Sequence, residues 1–118
     1  MTEPIKILIV VKGQFEGIHC WPECPYEGVS FLRVPHRHIF HVVAKIEVTH
    51  DDREIEFILA KRTLGNFLYE FYHRHDLGSK SCEMLAKEIG EHLNGHVGPV
   101  YMISVSEDDE NSSEVYFG

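Results

Sequence analysis

His36-Arg37-His38-Ile39-Phe40-His41-Val42-Val43-Ala44-Lys45-Ile46-Glu47-Val48 is the stretch on which the fold turns. Its even positions, His36, His38, Phe40, Val42, Ala44, Ile46 and Val48, share one face of an extended chain, and Arg37, Lys45, Glu47 and Thr49 fall on the other. The alternation predicts a long strand with one buried face. That face begins with two imidazoles.

Before it, Ile5, Ile7, Ile9 and Val11 alternate with Lys6, Leu8 and Val10, which predicts a covered strand from Ile5 to Val11. Gly13 and Gly17 are expected to bend or bulge the chain ahead of His19. Cys20-Trp21-Pro22-Glu23-Cys24-Pro25 then carries the prolines of an irregular loop that ends near Phe31.

After it, Asp51-Asp52 reads as a turn and Glu54 to Ile58 as the second arm of a hairpin, with Ile55 and Phe57 inward. Leu64, Phe67, Leu68, Phe71 and Tyr72 recur at helical spacing, with Gly65 a mild local cost. Ser81 is placed to cap a second helix carrying Cys82, Leu85, Ile89 and Leu93, which Asn94-Gly95 ends. Beyond Pro99, Tyr101, Ile103, Val105 and Glu107 alternate; an acidic turn from Asp108 to Ser113 and a short strand from Glu114 to Phe117 follow. Strands flanking two mid-chain helices predict an α+β domain, an antiparallel sheet with both helices packed on one face.

At 118 residues the chain suits a single domain over 1–118. Apolar residues at 43% and charged residues at 25% place it among ordinary globular proteins. The net charge of −8, with no Lys/Arg stripe, is the wrong field for a phosphate backbone, so nucleic acid is excluded as main partner. The longest apolar run, Ile7 to Val11, is far short of the roughly 20 residues a spanning helix needs, and no secretory signal opens the chain. Three cysteines cannot all pair within one chain, which fits a reducing, cytoplasmic compartment.

Nine histidines are many for this length, and their placement carries the chemistry. Residues two apart on a strand project from the same face, so His36 and His38 can offer both imidazoles to one ion. His19, at the end of the first strand, can join them if the two strands pair antiparallel. Three protein ligands leave a fourth position for water or substrate, as in catalytic zinc sites. Cys20 and Cys24 leave an alternative open, a four-ligand structural zinc site using thiolates.

Short signatures in order resemble the 6-pyruvoyltetrahydropterin synthase and 6-carboxytetrahydropterin synthase family. Phe15-Glu16-Gly17-Ile18-His19 is similar to its Phe-x-Ala-Ala-His, and His36-Arg37-His38-Ile39-Phe40 to its His-Gly-His-Asn-Tyr strand. Ile55-Glu56-Phe57 resembles its Met-x-x-Asp-Phe, and Ser81-Cys82-Glu83-Met84-Leu85-Ala86 its Pro-Thr-x-Glu-Asn-x-Ala helix start. Glu107 stands where the family's pterin-anchoring glutamate would be. The resemblance spans nearly the whole chain and implies a tunnel fold, a Zn2+ ion on His19, His36 and His38, and a homo-oligomer, a hexamer, with ligand sites at subunit interfaces. It also implies a pterin, purine or related nucleotide as ligand, held by Glu107 and Glu83. Compact relatives occur among phage genes, so the expected setting is the cytoplasm of a bacterium or a phage-infected host.

Three departures matter. The position of the family's catalytic cysteine, four residues before the first histidine of the pair, is Leu32. Cys24 can replace that thiol only by folding back over the metal. The family's Leu-Asp-His segment has no clear counterpart, although His75 and Asp76, between the helices, offer an acid/base pair. Arg37 replaces a glycine and either recognises a phosphate or carboxylate or points outward to a neighbouring acid. The expected functions are therefore a zinc-dependent lyase or hydrolase, a binding protein that sequesters such a ligand without turnover, and a structural zinc protein.

Overall fold

The computed structural model describes residues 2–118. Its elements run β1 (Ile7–His19), a 3-10 segment at Glu27–Arg33, β2 (His36–Val48), α1 (Phe57–Phe71), α2 (Cys82–His96), β3 (Val100–Glu107) and β4 (Asn111–Tyr116). The strands form an antiparallel sheet in the order β1-β2-β3-β4.

β2 follows its alternation: Phe40, Val42, Ala44, Ile46 and Val48 are buried. Against this face pack Ala60, Leu64 and Leu68 of α1 and Leu85, Ala86, Ile89 and Leu93 of α2. The architecture is thus α+β, with both helices on one face of the sheet. Ser81 caps α2 as its position predicts, its side chain accepting from the Met84 N–H. Among the described residues no helix is long and apolar enough to cross a membrane.

Several boundaries differ from the sequence expectation. Glu54 to Ile58 is not a hairpin arm: Glu56 caps α1, its carboxylate accepting from the N–H groups of Ile58 and Leu59 at 2.6 and 3.1 Å. Ile55 packs against the core, but Phe57 opens the helix and is exposed. Five residues of alternation are too few to separate a strand from a cap and first helical turn. β1 does not bend at its glycines but runs unbroken to His19. A Cβ at Gly13 would stand 2.9 Å from a Leu68 methyl, and one at Gly17 2.8 Å from a Leu77 methyl. These glycines admit side chains onto the sheet instead of bulging it.

The irregularity lies in the pairing of β2 with β3, where Lys45 faces Met102 and Ile46 faces Val100, leaving Tyr101 as the extra residue. α2 continues through Asn94 and Gly95, and the Asn94 side chain accepts from the Val100 N–H at 3.2 Å, tying the helix end to β3. β4 begins earlier than expected, at Asn111, because Asp108 and Asp109 both take positive φ and close a tight turn of the primed type.

The connection between the helices covers the outer edge of β1. Arg74 N–H donates to the Glu16 carbonyl, Leu77 N–H to that of Ile18, and Cys20 N–H to that of Gly78. Paired edges resist foreign strands, and this one also places Lys80 beside the end of β1.

Leu64 is fully buried where α1 meets the sheet, whereas Tyr69 on the same helix is exposed. Leu64→Ala is expected to lower unfolding stability in urea by about 3–4 kcal/mol and Tyr69→Ala by under about 0.5 kcal/mol. Equal losses in the two variants would contradict this placement of the core.

Candidate metal centre

The register of β1 and β2 ends on the pair His19↔His36. His38, two residues along β2, lies on the same face, so three imidazoles gather at one end of the sheet. One ring nitrogen of each lies within 4.8 Å of the others, and among the described residues this is the one cluster of three or more potential ligands. His19 is buried; His36 and His38 are half-buried.

The other ring nitrogens are occupied. His19 Nδ1 is 2.9 Å from the Lys80 carbonyl, His36 Nδ1 is 2.8 Å from that of Val34, and His38 Nδ1 is 2.7 Å from the Asp108 carboxylate. Carbonyls and carboxylates only accept, so each Nδ1 carries its proton and donates it. In the neutral ring Nε2 is then a bare lone pair. The Nε2 atoms of His19 and His38 are both covered and without a hydrogen-bond partner. Burying such atoms unpaired is costly, and a cation among them removes the cost. Nitrogen donors of this kind suit zinc.

Glu107, at the end of β3, sits against the cluster. One carboxylate oxygen lies 3.0 Å from His19 Nε2 and the other 3.7 Å from His38 Nε2. While the ring is neutral, with its proton on Nδ1, the nearer contact is no hydrogen bond, because Nε2 and the carboxylate both accept; a proton on Nε2 supplies the donor. The Glu107 carboxylate raises the His19 imidazole above its ordinary value, outweighing burial, and the Lys80 carbonyl adds to the effect. In return His19 holds Glu107 below the usual carboxylate range against its burial, helped by His38 and His36.

A cavity of about 500 Å³ opens beside this cluster, lined by His19, His36, Leu32, Cys82, Glu83 and Glu107 among others. Glu83 accepts from the Ser113 hydroxyl at 2.8 Å. Burial, with the nearby charges of Glu107 and Glu83, pushes the Cys82 thiol up to about 12, so it is protonated near neutral pH.

The remaining sequence candidates are elsewhere. Cys24 is buried in its own loop, its sulfur 3.9 Å from the carbonyls of Tyr26 and Val29, and does not line the cavity. Cys20 lines the cavity but joins no cluster with Cys24 and the histidines, so the thiolate site is not assembled. His75 and Asp76 belong to the segment along β1: the His75 carbonyl accepts from Ile18 N–H, and the Asp76 carboxylate accepts from Gly78 N–H. Arg37 projects from the opposite face and pairs with Glu16, which also meets Arg74 at 3.3 Å. It takes the outward role that alternation allows.

Two contributors escaped the sequence reading. Asp108, in the turn after Glu107, receives Nδ1–H from His38 and N–H from Ile39, and both bonds hold its carboxyl low. Its signal was an acidic residue at a strand end, indistinguishable from a solvated turn. Cys82 was legible only as an apolar residue of the α2 face.

Lys80 is itself fixed. Its ammonium donates to Glu88 at 2.6 Å, and the buried Tyr72 hydroxyl donates to the same carboxylate at 2.6 Å. Burial pushes the Glu88 carboxyl up, but Lys80 and Tyr72 together hold it below its usual range. Tyr72 is pushed well above the ordinary phenol range by burial and by Glu88. The Lys80 carbonyl is thereby positioned for His19.

No family model and no curated protein matches the chain in sequence. Among solved structures it is similar to that of Caenorhabditis elegans 6-pyruvoyl tetrahydropterin synthase, with a TM-score of 0.75 and 12% identity over the whole of both chains. This likeness establishes an α+β tunnel fold.

In the metal-free protein the His19–Glu107 pair stabilises the fold only while both groups are charged. The His19 contribution is complete below its ordinary 6.5 and is lost as pH rises through its raised folded value. The Glu107 contribution is complete above its ordinary 4.5 and is lost as pH falls through its lowered folded value. The stability difference between the parent and Glu107→Gln should peak between these values and shrink on either side in urea titrations. A pH-independent difference would remove the pair from the account.

Proposed function

We propose that the chain is a zinc protein of the tunnel fold that holds a pterin, purine or related nucleotide beside a metal bound by His19, His36 and His38. The observation that carries this reading is the convergence of three imidazoles whose Nδ1 atoms are already committed, two with covered, unpaired Nε2 atoms, at the wall of a cavity large enough for such a ligand. A bound zinc ion there would polarise a ligand oxygen or activate water. Glu107 and Glu83 are the cavity carboxylates able to accept the paired N–H donors of an amino-substituted heterocycle. The fold likeness favours this class of ligand, since the similar structure is that of a pterin synthase.

The chain's own residues supply positions more readily than a nucleophile. Leu32 lines the cavity where the resembled family carries its cysteine, Cys24 does not reach the cavity, and of the two cysteines that do, Cys20 and Cys82, the Cys82 thiol is held protonated. These observations favour binding without turnover over the family's usual lyase reaction. As further parts of the same reading, the chain is one domain, works in the cytoplasm and assembles as a homo-oligomer, a hexamer. The edge strand β4 and the exposed Phe57, Ile58 and Leu59 at the start of α1 suit burial between subunits.

Elemental analysis of purified protein is expected to give one zinc per chain, lost in His36→Ala and His38→Ala and retained in Cys20→Ala and Cys24→Ala. Zinc affinity should fall as pH is lowered, because the proton that Glu107 favours on His19 competes with the metal. Metal-free native protein would sink the site. Incubation of the zinc-loaded protein with pterin and purine nucleotide mixtures, followed by mass spectrometry, should show a retained ligand without product. Formation of product would restore the lyase or hydrolase reading.

A further inference from the structure

We infer that Asp108 is a positioning residue of the metal centre: its carboxylate fixes the proton of His38 on Nδ1 and so leaves Nε2 of that ring bare for the metal. This rests on the three-histidine reading above and deepens it.

The three imidazoles are not held alike. His19 and His36 donate to the backbone carbonyls of Lys80 and Val34, which accept whatever side chain those positions carry. His38 donates instead to a side chain, the Asp108 carboxylate at 2.7 Å. The tautomer of that ring therefore depends on which residue stands at position 108. The contact is one prong of a fork: one carboxylate oxygen takes Nδ1–H of His38, and the other takes the Ile39 N–H at 3.0 Å. Asp108 N–H returns a bond to the Ile39 carbonyl at 2.7 Å. Two donors thus converge on the side chain, and a carboxylate, an acceptor at both oxygens, meets both. An amide in its place would turn its NH2 group to one of them.

The backbone points the same way. Asp108 has a φ of 54°, in the left-handed region that favours glycine and asparagine. A side chain held there is compensated by the contacts it makes, and here these are the two bonds it accepts from β2. Asparagine would suit the φ better and the fork worse. With the Ile39 N–H on its oxygen, its NH2 group would donate to His38 Nδ1 and leave the ring proton on Nε2. The Nε2 atom of His38 is covered and has no hydrogen-bond partner. A proton there occupies the lone pair that a metal needs.

The test uses the full chain and two readouts. Zinc affinity is read by chelator competition with Zn2+ alone, and the protonated ring nitrogen of His38 by nitrogen NMR of the metal-free protein in mildly alkaline buffer, where an ordinary imidazole is neutral. In the parent the proton should sit on Nδ1. In Asp108→Asn it should move to Nε2, and zinc affinity should fall about 10–100-fold. Asp108→Gly removes the carboxylate while easing the backbone, so it should keep the fold and lose zinc affinity to a similar degree. Asp109→Gly eases the same backbone region, at a φ of 58°, and should change neither readout. The parent spectrum needs no variant, so a misfolded Asp108→Asn would not spoil it. A parent carrying the proton on Nε2, or Asp108→Asn and Asp108→Gly variants that bind zinc as tightly as the parent, would overturn the role of Asp108 and leave the three histidines standing. A parent that takes up no more zinc than His36→Ala would overturn the three-histidine reading itself.

Discussion

The register between β1 and β2 is the constraint on which the rest of the molecule depends. It runs without a break from Ile7↔Val48 to His19↔His36. Side chains alternate with a period of two, so a slip of one residue would turn Phe40, Val42, Ala44 and Ile46 out of the core and His36 and His38 away from His19 in the same movement. Core and site are therefore specified by one pairing. The apolar residues hold the register in place, and the histidines at its end inherit the alignment at no separate cost. Gly13 and Gly17 tighten it by letting Leu68 and Leu77 onto β1.

Alignment of the backbone does not orient a ring, and three further elements do that work. The loop before β2 supplies the Val34 carbonyl, the segment along β1 supplies that of Lys80, and the β3–β4 turn supplies the Asp108 carboxylate. Each holds one imidazole by its Nδ1, and one ring nitrogen of each lies within 4.8 Å of the others. Lys80 shows how far this support reaches: its ammonium is anchored on Glu88, which Tyr72 also grips, and Tyr72 packs on Phe15 of β1. The segment containing His75 and Asp76 is part of this scaffold. Its backbone pairs with β1, while the Asp76 side chain closes the turn at Gly78.

What was legible in the sequence follows the range of each signal. β2 has thirteen residues of clean alternation, enough to fix its ends and its faces, and the His-x-His spacing follows from the same period. Ser81 was legible because a cap acts on an amide three residues away. Glu56 performs the same task but stands in a short alternating run that a strand explains as well. Gly13, Gly17, Asp108 and Cys82 act through Leu68, Leu77, His38 and Glu107, partners 25 to 70 residues away. No local pattern announces such partners. The fold was readable because it is written in periods, whereas the supports of the site are written in tertiary contacts.

The cavity wall sets the state of the groups that face it. Leu32 presents hydrocarbon, and of the two cysteines in the wall, Cys20 and Cys82, the second lies on the facing helix with Glu83 and near Glu107. A helix N-terminus ordinarily lowers a thiol's pKa, yet here burial and two nearby carboxylates outweigh that field and raise it to about 12. The two carboxylates of the cavity wall, with burial, thus keep Cys82 from acting as a thiolate. Acceptance of N–H donors and nucleophilic activation ask opposite things of the local potential, and Glu83 and Glu107 set it against the second at Cys82.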